Sequence, residues 1–425
     1  MSKKNRTSPS AGLMPPLPTT FIDRMTAILG DEETTRLKTA LDEKPSVSIR
    51  INRRKAGDPG AFMQHFSDYN PHPVPWCASG FYLDRRPDFV HDPLLHAGTY
   101  YVQEAASMIY ETIVGEILKE LHTDAPASDR PLLVADMCAA PGGKSTAMLN
   151  ALTGKYILVA NEYDRKRAYI LKENVDKWGD PDVVITNSPT SKFGLLQQLF
   201  DIIAVDAPCS GEGMMRREPI ARTQWNPGLI EQCALLQREI LDNAVTALKP
   251  GGCLIYSTCT FNNIENEENV KWLREEFGLE IVRDPHHYMP HRERCEGLFV
   301  VVLRKPDGIV NARYSISGID DMVSLLKKKG ISIISAGTEK YVKKGNLEIP
   351  SSKKVLAYNY DNEFPSVDLS LSDSLAYLRR NSITLPEDTP KGYVTLRYEG
   401  YPLGLVKNIG NRANNLYPAE WRLLS

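Results

Sequence analysis

Residues 131–148 read "PLLVADMCAAPGGKSTAM". An apolar run ends in a loop of small residues with paired glycines, and a helical stretch follows. The pattern then repeats. "KYILVANE", "DVVITN", "FDIIAVDAP" and "GGCLIYSTC" are short, nearly continuous apolar runs separated by helical segments. Continuous hydrophobicity marks strands buried on both faces. Strand–helix–strand repetition predicts right-handed crossovers and a doubly wound parallel α/β sheet. A late run, "GLFVVVLRK", follows "LEIVR" without a helical crossover, so it is expected to add antiparallel.

The glycine loop invites two nucleotide-binding readings, and both fail. A P-loop needs a glycine five residues before Gly143, where this chain has Cys138. The dinucleotide fingerprint needs a first glycine that has no match near Ala139. The next strand ends "VANEYD", placing Glu162 twenty residues after Gly142. An acid there suits ribose hydroxyls. A glycine loop with a ribose carboxylate and no phosphate clamp points to a nucleoside ligand without phosphates, such as S-adenosylmethionine.

Two thiols stand just past apolar runs: Cys209 in "DAPCSG", with Asp206 beside it, and Cys259 in "LIYSTCTFN". Cys253, by contrast, lies inside its run, as a structural cysteine does. Ligands of open α/β sheets bind outside the carboxyl ends of the strands. A thiol there can add reversibly to carbon 6 of a pyrimidine, which makes carbon 5 nucleophilic enough to take a methyl group. A nearby carboxyl group can hydrogen-bond the polar edge of cytosine.

At these residues the resemblance is specific. "DMCAAPGGKST", "DAPCSGEG" and "YSTCTFNNIENEENV", in that order, resemble the RNA 5-methylcytosine methyltransferase family of the nucleolar antigen and Sun type. The ending "LGLVKNIGNRANNLYPAEWRLL" is similar to the PUA-like RNA-binding tail of the bacterial small-subunit rRNA branch. The resemblance implies a class I, Rossmann-like methyltransferase fold. It implies that Cys259 is the nucleophile and that Cys209 assists breakdown of the covalent adduct. It places Asp206 against both cofactor and cytosine. It further implies that Cys138, Ala139, Ala140, Pro141, Gly142, Gly143 and Lys144 wrap the methionine end of S-adenosylmethionine and that Glu162 holds its ribose. Many members have an aspartate near the adenine; this chain has Asn187, whose carbonyl can accept from the adenine amine.

The rest of the chain frames that core. Its 425 residues exceed one ordinary domain. Apolar residues at helical spacing from Phe21 to Leu41 and the strand "SVSIRINRR" predict a small α+β N-terminal domain. The expected organisation is a disordered tail over 1–20, an accessory RNA-binding domain over 21–93 and the methyltransferase domain over 94–305. A linking α/β subdomain follows over 306–365, with "ISIIS" and "KKVLAYNY" as strands, then a β-rich PUA-like domain over 366–425. In the last, Arg397, Tyr401, Lys407 and Arg412 are candidate RNA contacts. Net charge is −2, and basic runs such as "LLKKKG" are local.

Seven cysteines without a C-x-x-C pair predict reduced thiols and a cytoplasmic protein. No membrane span and no metal are expected. His287, His291 and Cys295 read as a substrate-side loop, because Pro290 interrupts their alignment. Arg216 and Arg217 read either as phosphate contacts or as surface charge. The expected partner is RNA, ribosomal and met free or within a ribosomal subunit, bound by a monomer. Transfer RNA or DNA as substrate, a P-loop-like hydrolase and a non-catalytic RNA-binding scaffold stay open at this point.

Overall fold

The computed structural model describes residues 14–124, 130–309 and 313–424. Most of the expected disordered tail lies outside the described residues; from Thr19 the chain is helical. The segment expected as one helical stretch is two helices, Thr19–Leu29 and Asp31–Asp42. Gly30, at φ 82°, breaks it, and Asp31, Glu32 and Glu33 then favour a fresh helix start.

A four-stranded sheet follows, built from β1 (Val47–Ile51), β2 (His72–Val74), β3 (Cys77–Leu83) and β4 (Tyr100–Val102) in the order β2-β3-β1-β4. The boundary expected at residue 93 falls too early for this sheet. β4 lies beyond it and pairs antiparallel with β1, Ile51 opposite Tyr100.

The central sheet contains β5 (Leu132–Asp136), β6 (Tyr156–Asn161), β7 (Val183–Thr186), β8 (Phe200–Asp206), β9 (Leu248–Thr258), β10 (Glu280–Tyr288), β11 (Leu298–Arg304) and β12 (Ile333–Ala336). Their order is β10-β11-β9-β8-β5-β6-β7-β12. The five strands from β5 to β9 are mutually parallel, and β11 adds antiparallel to β9 as the missing crossover predicted. One hydrophobic cluster covers each face. The chain winds from β5 toward β7 in one direction and from β8 toward β9 in the other. The crevice at the carboxyl ends of β5 and β8 is therefore the topological switch point where such sheets bind ligands.

Two expectations beyond residue 305 are corrected. "ISIIS" does not start a separate β unit: β12 pairs antiparallel with β7 and extends the central sheet. "KKVLAYNY" is not a strand, because Ser351 caps a short helix, Ser352–Leu356, by accepting from the Lys353 amide. A hairpin, β13 (Tyr341–Lys344) with β14 (Leu347–Pro350), lies between them. The C-terminal sheet has the order β15 (Ser366–Asp368), β16 (Gly392–Tyr398), β17 (Tyr401–Asn408) and β18 (Ala413–Asn415), and the helix Leu371–Leu378 packs into its core.

These parts are packed together. Tyr401 meets Phe62 of the N-terminal unit edge to face at 5.9 Å. Gly98, at φ +70°, lets the N-terminal unit approach the helix Arg165–Trp178 so closely that a Cβ there would lie 1.8 Å from the Lys177 carbonyl oxygen. Gly98→Ala combines that clash with a left-handed backbone, so it should destabilise the protein by on the order of 3 kcal/mol. Urea unfolding measures this; an unchanged midpoint would mean that the two units are not docked at Gly98.

Candidate active site

β8 and β9 are adjacent and parallel, with Asp206 opposite Ser257. Their carboxyl ends thus deliver Cys209 and Cys259 to the same place. The two sulfurs lie 3.0 Å apart, and the Cys259 amide donates to the Cys209 sulfur at 3.3 Å. Both thiols are free.

The loops that carry them are locked together by two buried carboxylates. Glu212, fully buried, accepts from the Thr260 hydroxyl at 2.6 Å and from the amides of Phe261 and Asn262 at 2.7 and 3.0 Å. Its other oxygen accepts from the Trp225 indole. Glu265 reaches back, accepting from the Ser210 amide at 3.0 Å and from the side chains of Asn262 and Gln237. The Gly213 amide donates to the Cys259 carbonyl at 2.9 Å.

Hydrogen bonding to Cys259, then burial, pushes the Cys209 thiol well above the ordinary cysteine range. Beside them Asp206 accepts from the Lys144 ammonium at 2.8 Å and from the Ser257 hydroxyl at 2.6 Å. Ser257 in turn lies 2.8 Å from the buried Tyr110 hydroxyl. Burial opposes the Lys144 charge, but Asp206 outweighs it, and the ammonium stays protonated above its ordinary range. Lys144 therefore ties the glycine loop to the thiol site.

The glycine loop runs from the end of β5 into the helix Gly143–Ala151. Its carbonyls are held from the neighbouring helix: Arg167 donates to Ala140 and Asn174 to Pro141. Gly142 sits at φ +111°, and a Cβ there would press on Leu171 at 3.2 Å. Cys138 is a neutral thiol, its pKa driven far up by burial first and by the surrounding acids. Glu162, just past β6, accepts from the Asp164 amide at 2.9 Å and lies 3.4 Å from Arg167. Asn187 spends its amide hydrogens on the carbonyls of Glu162 and Tyr163, which leaves its side-chain carbonyl available. All the residues singled out on the central sheet thus lie around its carboxyl edge.

The remaining candidates lie away from the two thiols. Arg216 is neither a phosphate contact nor surface charge: it is buried and forms a bidentate pair with Glu296 at 2.7 and 2.9 Å. Arg217 approaches the same carboxylate at 3.2 Å. His287 faces Glu267, His291 faces Glu33, and Cys295 is buried with its thiol donating to the Glu296 carbonyl. Among the described residues no three such side chains gather as metal ligands, and no helix is long and apolar enough to cross a membrane. Tyr401 is half-buried and packs against the N-terminal unit. Arg397 is engaged by Asn362, and Lys407 lies over the Tyr393 ring.

The sequence reading missed Asp136, although it ends an apolar run as Asp206 does. It is buried and accepts from the Ser145 hydroxyl at 2.7 Å. Burial pushes its pKa up to about 7. Glu212 and Glu265 were also missed, and both stand inside quoted motifs.

Residues 125–304 match the model of the 16S rRNA methyltransferase RsmB/F family. Residues 17–105 match the N-terminal domain of 16S rRNA methyltransferase RsmF, and 364–423 the methyltransferase RsmF PUA domain. The ribosomal RNA small subunit methyltransferase F of Enterobacter sp. (strain 638) is 28% identical over 438 residues, covering 88% of this chain and 89% of its own. Its counterpart in Pectobacterium atrosepticum is 34% identical, covering 69% of this chain and 63% of its own. Among solved structures, a methyltransferase homolog protein from Pyrococcus horikoshii superposes with TM-score 0.58 at 26% identity, covering 67% of this chain and 94% of that one. NSun6 from the same organism, solved with SFG, shares the fold at TM-score 0.57 and 20% identity, covering 69% and 99%.

Two predictions test the site's construction. In the folded chain Asp136 holds its proton to higher pH than in the unfolded chain. Its contribution to stability is thus fully present below about pH 4 and is lost as pH rises through about 7. Asp136→Asn should remove that slope, so its melting temperature relative to the wild type should climb across this window; a flat difference would mean that Asp136 titrates normally. Glu212→Gln places an amide where the loop requires an acceptor. It should cost about 2 kcal/mol in urea unfolding, and an unchanged midpoint would show that the loops hold without it.

Proposed function

We propose that this chain, which belongs to the 16S rRNA methyltransferase RsmB/F family, methylates carbon 5 of a cytosine in ribosomal RNA through a covalent cysteine adduct. The observation that carries this reading is the pair of sulfurs 3.0 Å apart beside the Lys144–Asp206 pair.

S-adenosylmethionine fits the residues present, and when bound it supplies an electrophilic methyl group. The start of the helix Gly143–Ala151 offers unpaired amides for the carboxylate. Gly142 leaves the close approach that a side chain would fill. Glu162 keeps lone pairs for ribose hydroxyls, and Asn187 keeps its carbonyl for the adenine amine.

On the RNA side, the Cys259 thiolate attacks carbon 6, and the ring becomes nucleophilic at carbon 5. Asp206 and Lys144 face the polar edge of the base and stabilise the charge that develops on it. Two thiols this close cannot both ionise readily. The upward-shifted Cys209 keeps its proton and lies 3.0 Å from the Cys259 sulfur, within hydrogen-bonding reach of it. After methyl transfer the carbon-5 proton passes to solvent water, its electron pair re-forms the carbon 5–carbon 6 double bond, and the carbon–sulfur bond breaks to release the Cys259 thiolate, with the Cys209 thiol assisting by hydrogen-bonding the departing sulfur.

The mechanism makes opposite demands on the thiols. Cys259→Ala should abolish methylation and form no covalent protein–RNA species. Cys209→Ala should methylate poorly and accumulate a covalent complex that survives denaturing electrophoresis. The double variant should behave as Cys259→Ala does. Trapping with Cys259→Ala alone would reverse the roles, and full activity in both single variants would sink the covalent mechanism. Bisulfite sequencing of ribosomal and transfer RNA, with and without the gene, identifies the substrate.

A further inference from the structure

Arg50, in β1 of the N-terminal sheet, is fully buried. Its guanidinium donates to the Gln103 side-chain carbonyl at 2.7 Å, to the Thr146 carbonyl at 3.1 Å, to the Gly143 carbonyl at 3.2 Å and to the Thr146 hydroxyl at 2.6 Å. Its flat face lies 4.6 Å from the Trp178 ring centroid. Each of these acceptors is neutral. Among the described residues Arg50 has no carboxylate within ion-pair distance. Burial disfavours the charge, and the buried Glu111 carboxylate offsets only part of that cost, through space and without a direct bond.

The position of that cation is informative. Gly143 and Thr146 form the first turn of the helix that follows the glycine loop. The first turn is the positive end of the helix dipole. Arg50 adds charge of the same sign to it, an arrangement that opposes stability and favours an anion. A geometric link runs the same way. The Thr146 hydroxyl that receives from Arg50 itself donates to the Gly142 carbonyl at 2.8 Å. The N-terminal sheet thus reaches, through two side chains, the left-handed glycine on which the loop's shape depends.

We infer that Arg50 is a positioning residue for the amino-acid end of the cofactor, so that the N-terminal sheet is part of the cofactor site. The inference rests on the S-adenosylmethionine reading. It sets the cofactor's α-carboxylate against a guanidinium whose charge Glu111 only partly offsets, and gives Arg50 no contact with the reacting atoms.

Two ligands separate this role from a general structural one. S-adenosylhomocysteine carries the amino-acid end; 5′-methylthioadenosine keeps the adenosine and sulfur but lacks it. Calorimetry with both should be run on the full chain as wild type, Arg50→Lys, Arg50→Met and Thr146→Val. For Arg50→Met the homocysteine ligand should weaken about tenfold or more, the factor given by one charge-assisted hydrogen bond at about 1.4 kcal/mol per decade. Methylthioadenosine should stay within about twofold, because the α-carboxylate is absent from it. Arg50→Lys and Thr146→Val should shift the homocysteine ligand in the same direction by less. They carry the test if Arg50→Met does not fold. Equal losses for the two ligands, or no loss for either, would overturn the inference. A wild-type chain that binds neither ligand would overturn the cofactor reading, and this inference with it.

Discussion

The site depends on two carboxylates buried without a cation in ion-pair range among the described residues, Glu212 and Glu265. Burying such groups is expensive unless their lone pairs are filled. Here they are filled by the backbone and side chains of the two loops that present the thiols. Burial shifts the Glu265 pKa upward, while bonds from Ser210 and Asn262 oppose the shift. The acceptors therefore specify one loop geometry, and departures from it strand a buried acceptor. That constraint holds two sulfurs within hydrogen-bonding distance on segments fifty residues apart.

A second constraint joins the N-terminal unit to the central sheet. Asn52 donates to the Gly98 and Trp178 carbonyls at 2.9 Å. The half-buried Lys55 donates to the Ala97 and Lys177 carbonyls, and desolvation of its ammonium lowers its pKa to about 7. Arg50 reaches the helix turn that follows the glycine loop. The helices Thr19–Leu29 and Asp31–Asp42 cover the other side, where Phe21 meets Trp225 and the cluster includes Phe261 and Met289. An N-terminal segment that reads as an appended domain is thus packed against both halves of the site.

The central sheet was legible because its signal is local. Strands buried on both faces leave continuous apolar runs, and the residue just past each run lies at the sheet's carboxyl edge. Asp206, Cys209, Cys259, Glu162 and the glycine loop could therefore be placed together before any coordinates. The glycine motif also excluded a phosphate clamp by spacing alone, since Cys138 occupies the position where a P-loop needs glycine.

What stayed hidden in the sequence depends on partners distant along the chain. Arg216 looks like a phosphate contact until Glu296, eighty residues on, fills its fork. Nothing near Tyr401 in the sequence announces that its ring meets Phe62 of the N-terminal unit. "KKVLAYNY" has strand composition, yet a Ser351 cap decides for a helix. "ISIIS" reads as a new domain, yet β7 offered it an unpaired edge. The sequence by itself determined the sheet, its carboxyl edge and the two thiols at it, because strand burial and spacing are written in neighbouring residues. The tertiary structure decided which charges are buried, which pairs they form and how close the two sulfurs come, because those depend on long-range packing in a low-dielectric interior.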